Sequence, residues 1–121
     1  MKRKIENGIF YILNDGGATI MSITVTTNQG STTLAVAGSI TFDAAPEFED
    51  ELMAVLSSGK STVVAVDFKE LDNISAPALN ALLQAQKFVE EKRYTFYIQN
   101  ISEPVKEIFV QTGFIDLFEI R

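Results

Sequence analysis

A chain of 121 residues with 46% hydrophobic and 21% charged residues has the size and composition of one globular domain. Ten basic against sixteen acidic residues give a formal net charge of −6, which disfavours nucleic acid and anionic membranes as partners. The chain has no cysteine and no histidine. Disulfides, thiolate or imidazole metal ligands, and catalysis by Cys or His are therefore excluded.

The first twenty residues combine a basic start with a short apolar group at 9–13, followed by Asn14-Asp15-Gly16-Gly17. The apolar group is too short for a signal peptide or a membrane-inserted helix, so we expect a cytoplasmic protein. We predict an N-terminal extension over 1–20, ahead of a domain over 21–121. Residues 9–13 are expected to add at most an edge strand, which would make the extension dispensable. The alternative is that the apolar group fills a groove in the core.

Alternating β-branched residues on both sides of Asn28-Gln29-Gly30 predict a hairpin that ends near Ile40. The next segment has the apolar spacing of a helix, with Asp43 as its cap and Gly59 as its stop.

Residues 62–68 form a continuous apolar run, which predicts a central strand covered on both faces. A linker at 69–73 leads to a second helix from Ser75 to about Glu91. A strand at 94–99, a third helix ending at Thr112-Gly113 and a closing strand at 117–120 complete the chain. This order predicts an α/β fold, a mixed, largely parallel sheet with an N-terminal hairpin and three main flanking helices. The expected core includes Val64, Val66, Leu82 and Phe109.

Two polar residues stand out near the carboxyl end of the central strand. Asp67 ends that strand, at the edge where open α/β sheets place their sites, although it could equally hydrogen-bond the following loop. Ser75 precedes the second helix, where its hydroxyl either caps the helix or accepts a phosphate. An enzyme would have only these two groups for catalysis. We therefore expect no enzymatic activity, no cofactor and no metal.

The stretch from Val63 to Leu83, which contains Asp67-Phe68 and Ile74-Ser75-Ala76-Pro77-Ala78-Leu79, resembles the STAS domain family. This family includes bacterial anti-sigma factor antagonists and the tails of sulphate transporters. Gly38-Ser39-Ile40 and the segment 102–120 resemble further parts of it, so the likeness covers about 21–121. The resemblance implies a non-enzymatic module that captures an anti-sigma factor, itself a serine kinase, until phosphorylation by that kinase ends the capture.

The resemblance also indicates where the family's phosphate acceptor falls in this chain. Aligned on Ile74 and Leu79, the acceptor position is Ala76, which has no hydroxyl, and Ser75 matches only the preceding position. Two hypotheses follow. Either Ser75 is a displaced acceptor, or the protein binds its partner independently of phosphorylation. In the second case it is a constitutive antagonist, a scaffold, or an accessory subunit of a stress-signalling complex or lipid transporter.

The second helix carries more apolar residues than one sheet can cover. If Leu82 and Val89 face the sheet, then Leu79, Leu83 and Phe88 cannot all do so. We predict that the remaining apolar side docks the partner, unless the first or last helix covers it. The interface candidates are Asp72, Asn73, Ser75, Pro77, Asn80 and Leu83. The sequence leaves the oligomeric state open.

Overall fold

A computed structural model describes the whole chain, residues 1–121. Its strands are β1 (Lys2–Glu6), β2 (Ile9–Leu13), β3 (Thr19–Asn28), β4 (Ser31–Ile40), β5 (Val63–Asp67), β6 (Leu71–Ile74) and β7 (Thr95–Gln99). Its helices are α1 (Ala45–Ser57), α2 (Ala76–Lys92) and α3 (Glu103–Thr112), and a 3-10 helix follows at Phe114–Leu117.

All seven strands belong to one mixed sheet, in the order β1-β2-β3-β4-β5-β7. β6 pairs with β4 beyond the end of β5. The pairs β1–β2, β2–β3 and β3–β4 are antiparallel, whereas β4–β5, β4–β6 and β5–β7 are parallel. The mixed sheet, the hairpin and the three helices are confirmed. The segment 69–73, predicted as a linker, contributes part of β6, and the predicted closing strand is reduced to one bridge between Ile98 and Ile120.

The predicted hairpin is β3–β4. Gln29 and Gly30 at its turn both have positive φ, at 49° and 81°, which matches the twist of the flanking strands.

The N-terminal extension forms two strands, so the expectation of at most an edge strand is wrong. β2 pairs with β3, and β1 pairs with β2 as the outermost strand. Ile12 is fully buried, and the Arg3 guanidinium lies 3.3 Å from a Glu47 carboxylate oxygen on α1. These contacts favour the alternative in which the apolar group of the extension fills the core.

Each helix has a proline in its first turn, where the missing N–H costs no helical hydrogen bond. The cap position of α1 is Ala44, not the predicted Asp43. The Thr41 hydroxyl oxygen accepts a hydrogen bond from the Ala44 N–H, at 3.1 Å, just before the helix. The predicted stop at Gly59 is confirmed by its φ of 71° just after the helix.

One face of the sheet holds the core. A single cluster of 27 buried apolar residues joins the helices to this face and includes all four predicted core residues. On the opposite face, Ala35 is exposed, while Ala37 and the paired Ser22 and Thr24 are half-buried. The helices thus cover one face only, and the prediction of a central strand covered on both faces is wrong. Ala65 on the open face is nevertheless buried, because its methyl group is small and lies between Thr33 and Tyr97.

Candidate protein-interaction site

The start of α2 lies beside the end of β4. The Ser75 N–H donates to the Ile40 carbonyl oxygen at 2.9 Å, immediately after the pairing of Ile74 with Ile40. Parallel strands end at a common edge of the sheet. The β4–α1 segment and the β6–α2 junction therefore form one continuous edge, called here the docking edge.

Ser75 occupies the cap position of α2 with an extended backbone, at φ −86° and ψ 165°, but its side chain makes no capping hydrogen bond. The expectation that its hydroxyl caps the helix is wrong in this respect. Pro77 has no N–H, so the Ala78 N–H is the one usual capping donor that remains, and the Ser75 hydroxyl does not bond it. The Ser75 Oγ atom is buried and has no hydrogen-bond partner.

Ala76 is the first residue of α2 and is exposed. Asn80 and Leu83 follow at i+4 and i+7, so the three side chains share one stripe of the helix. Asn80 is exposed and Leu83 is half-buried. The structure thus brings together part of the predicted interface, called here the α2 stripe.

The other candidates flank this stripe. Asp72 and Asn73 are exposed on β6, and Pro77 is half-buried in the first turn of α2. Asn73 Oδ1 accepts a hydrogen bond from the Ile74 N–H at 2.9 Å, which holds its side chain against the backbone. The Asp72 carboxylate has no ion-pair partner and faces solvent.

The apolar side of α2 is largely covered, which agrees with the alternative expectation that another helix covers it. Leu79 is 4% exposed and belongs to the core, and α1 packs along α2. Phe88 is half-buried, with its ring 6.4 Å from that of Tyr94. Leu83 is consequently the large apolar residue of α2 that remains partly accessible on the α2 stripe.

Sequence reasoning missed Phe42, a residue of the β4–α1 segment that is 73% exposed. This segment joins β4, which ends beside Ser75, to α1, so Phe42 lies on the docking edge. The available signal was a large aromatic residue between Thr41 and Asp43, outside both the strand and the helix pattern.

The STAS domain family matches residues 22–121. The chain belongs to the STAS family. No curated protein is significantly similar to the sequence. The chain is similar in structure to an anti-sigma factor antagonist from Mycobacterium paratuberculosis, with 19% identity and a TM-score of 0.72 over 83% of this chain and 84% of that one. It is also similar to the unphosphorylated anti-sigma factor antagonist SpoIIAA, with 13% identity and a TM-score of 0.70 over 82% and 87% of the two chains.

Asp67 ends the central strand of this STAS domain, as predicted, and ties it to its neighbours. Its carboxylate accepts hydrogen bonds from the Lys69 N–H at 3.0 Å, Gln99 Nε2 at 3.0 Å and Asn100 Nδ2 at 2.9 Å. Partial burial raises the pKa of the Asp67 carboxyl. The three hydrogen bonds and the Lys69 charge together lower the pKa by more than burial raises it, so the pKa of Asp67 lies below its usual value. The contacts favour the loop-bonding interpretation of Asp67.

No helix of this STAS domain has the length and apolar composition needed to cross a membrane. No group of three or more acidic side chains is arranged to hold a metal ion. The docking edge combines exposed polar side chains, the α2 stripe and one exposed aromatic ring, that of Phe42.

Proposed function

We propose that this STAS domain is a non-enzymatic antagonist that captures an anti-sigma factor or related regulatory kinase in the cytoplasm, whether or not that kinase is active. The observation that carries the proposal is the contrast at the start of α2. The family's acceptor position is an exposed alanine, Ala76, whereas the neighbouring hydroxyl, on Ser75, is buried.

The geometry of the α2 stripe supports binding in the unmodified state. Ala76, Asn80 and Leu83 present a small, a polar and an apolar side chain in line, which a partner surface can cover without desolvating a charge. A phosphate at this position would add about −1.5 to −2 charge near Asp72, on a protein whose net charge is already −6. That charge would oppose a partner that docks on the stripe.

The buried hydroxyl of Ser75 argues against a displaced acceptor. A kinase must place the γ-phosphate in line with the accepting oxygen, and the Oγ atom of Ser75 is closed to solvent. Phosphorylation there would require the Ser75 side chain to leave its buried rotamer or the first turn of α2 to open. Ser75→Ala should therefore leave capture of the partner unchanged.

The test combines phosphopeptide mass spectrometry with binding measurements. Each anti-sigma factor kinase of the source organism is purified and incubated with ATP and with the wild-type, Ser75→Ala or Ala76→Ser protein. We expect no stoichiometric phosphate on the wild-type protein, phosphorylation of Ala76→Ser, and loss of binding only for that phosphorylated variant. Stoichiometric phosphate on Ser75 that releases the partner would refute the proposal.

A further inference from the structure

The N-terminal extension lies outside the family match, yet one of its loops reaches the docking edge. This loop, residues 14–18, joins β2 to β3 and is internally hydrogen-bonded. The Asn14 N–H donates to the Ala18 carbonyl at 2.8 Å, and Asn14 Oδ1 accepts from the Ala18 N–H at 2.9 Å. The loop therefore has a defined shape beside the β4–α1 segment.

A cleft of about 280 Å³ separates this loop from the β4–α1 segment. It is lined by Met1, Asn14, Asp15, Ile20, Thr41 and Asp43. The cleft thus joins residues of the extension to the two residues that flank Phe42.

Phe42 is presented on a constrained turn. The Thr41 hydroxyl oxygen accepts from the Ala44 N–H, and the Thr41 carbonyl oxygen accepts from the Ala45 N–H at 3.0 Å. The exposed aromatic ring is fixed at its base, so that little backbone entropy is lost when a partner encloses it. Exposed rings of this kind are typical anchors of protein interfaces.

Two carboxylates and the amino terminus lie around the cleft. The Asp15 side chain is 96% exposed and lies 3.3 Å from the amino terminus, whereas Asp43 is exposed and forms no ion pair. A partner surface that complements this arrangement has an apolar pocket with lysine or arginine at its rim.

We propose that the loop 14–18 and the β4–α1 segment form a second half of the docking edge, which selects a partner with a basic-rimmed apolar pocket for Phe42. This inference rests on the proposed function. The α2 stripe supplies the binding surface that the fold provides, and the extension adds the contacts by which this chain discriminates between partners.

The test is isothermal titration calorimetry with each purified anti-sigma factor kinase of the source organism, on the full chain. The variants are Phe42→Ala, Asp15→Lys and Asp43→Lys. The matched controls are Val110→Ala, which truncates an exposed apolar residue of α3, and Asp116→Lys, which reverses an exposed charge in the 3-10 helix. Leu83→Glu reports separately on the α2 stripe.

We expect Phe42→Ala to weaken binding about tenfold or more, as for an interface anchor. Both charge reversals should weaken it about threefold or more, with a smaller effect at high salt, whereas the controls stay within about twofold of wild type. If Leu83→Glu abolishes binding while Phe42→Ala and Asp15→Lys bind like wild type, the inference is overturned and the proposed function stands. If no kinase binds the wild-type chain, both are overturned.

Discussion

Gly38 shows how one residue can be required by two independent constraints. Its φ is 90°, in the region that favours glycine, and a Cβ built on it would lie 2.3 Å from the Ile20 carbonyl oxygen. Its N–H donates to the Glu70 carbonyl at 3.0 Å, which links β4 to the turn before β6. This glycine therefore lets β3 approach β4 closely just before the docking edge.

Gly38→Ala should destabilise the protein by at least about 2 kcal/mol, because the added methyl group meets backbone rather than a movable side chain. The measurement is urea unfolding at equilibrium. Gly30→Ala is the matched control, since Gly30 also has positive φ, at 81°, but no atom lies within 4 Å of its added Cβ. Equal losses for the two variants would show that φ alone, and not the close approach, explains Gly38.

Asp67 gives a prediction for the dependence of stability on pH. Its pKa is lowered in the folded protein, so the ionised carboxylate stabilises the fold at pH values above the unfolded pKa of about 3.9, and this contribution is lost as the pH falls through the folded pKa. Asp67→Asn should lower the free energy of unfolding at pH 7 and flatten its decrease in acid. The measurement is denaturant unfolding between pH 7 and pH 2.5. An unchanged acid limb would mean that other carboxylates control it.

Among the elements, the β1–β2 hairpin is the one that this chain adds ahead of the family match. Its two strands differ in burial. Every residue of β1 is exposed, whereas β2 places Ile12 in the core. The hairpin consequently stabilises the domain through β2, while the charged residues of β1 protect the open edge of the sheet from unwanted pairing.

Ile12→Ala should cost about 2 to 5 kcal/mol, as for a large residue truncated in a packed core. Ile5→Ala is the matched control, because Ile5 is in the same hairpin but is 74% exposed, and its cost should stay below about 0.5 kcal/mol. Thermal and urea unfolding measure both. A small loss for Ile12→Ala would restore the view that the extension is dispensable.

At the scale of the whole molecule, the helices all pack on one face of the sheet, and the other face is open to solvent. The consequence can be tested on two adjacent residues of β4. Ala35 is exposed on the open face, and Val36 is 1% exposed on the covered face.

Ala35→Lys should change the free energy of unfolding by less than about 1 kcal/mol, because the charge remains in water. Val36→Lys should unfold the domain or cost more than about 4 kcal/mol, because it buries an unpaired ammonium group. Circular dichroism during urea titration measures both. A severe loss for Ala35→Lys would mean that something covers the open face in solution.

The order and type of most elements could be predicted from the sequence. Turn chemistry at 28–30, prolines in the first turns of the helices and the apolar spacing of α1, α2 and α3 are local signals, so they need no knowledge of distant contacts. The sequence alone also shows that position 76 is alanine and that the chain has no histidine and no cysteine. Without histidine or cysteine, the residue types available favour binding over catalysis.

The tertiary structure decided features that depend on residues far apart in the chain. Composition does not show that β2 would pair with β3 and bury Ile12, or that the helices would leave one face of the sheet open. The burial of the Ser75 hydroxyl and the exposure of Phe42 also follow from how β4, β6 and α2 meet at the docking edge. The physical reason is that burial is set by packing between elements, whereas sequence patterns report the preferences of each element by itself.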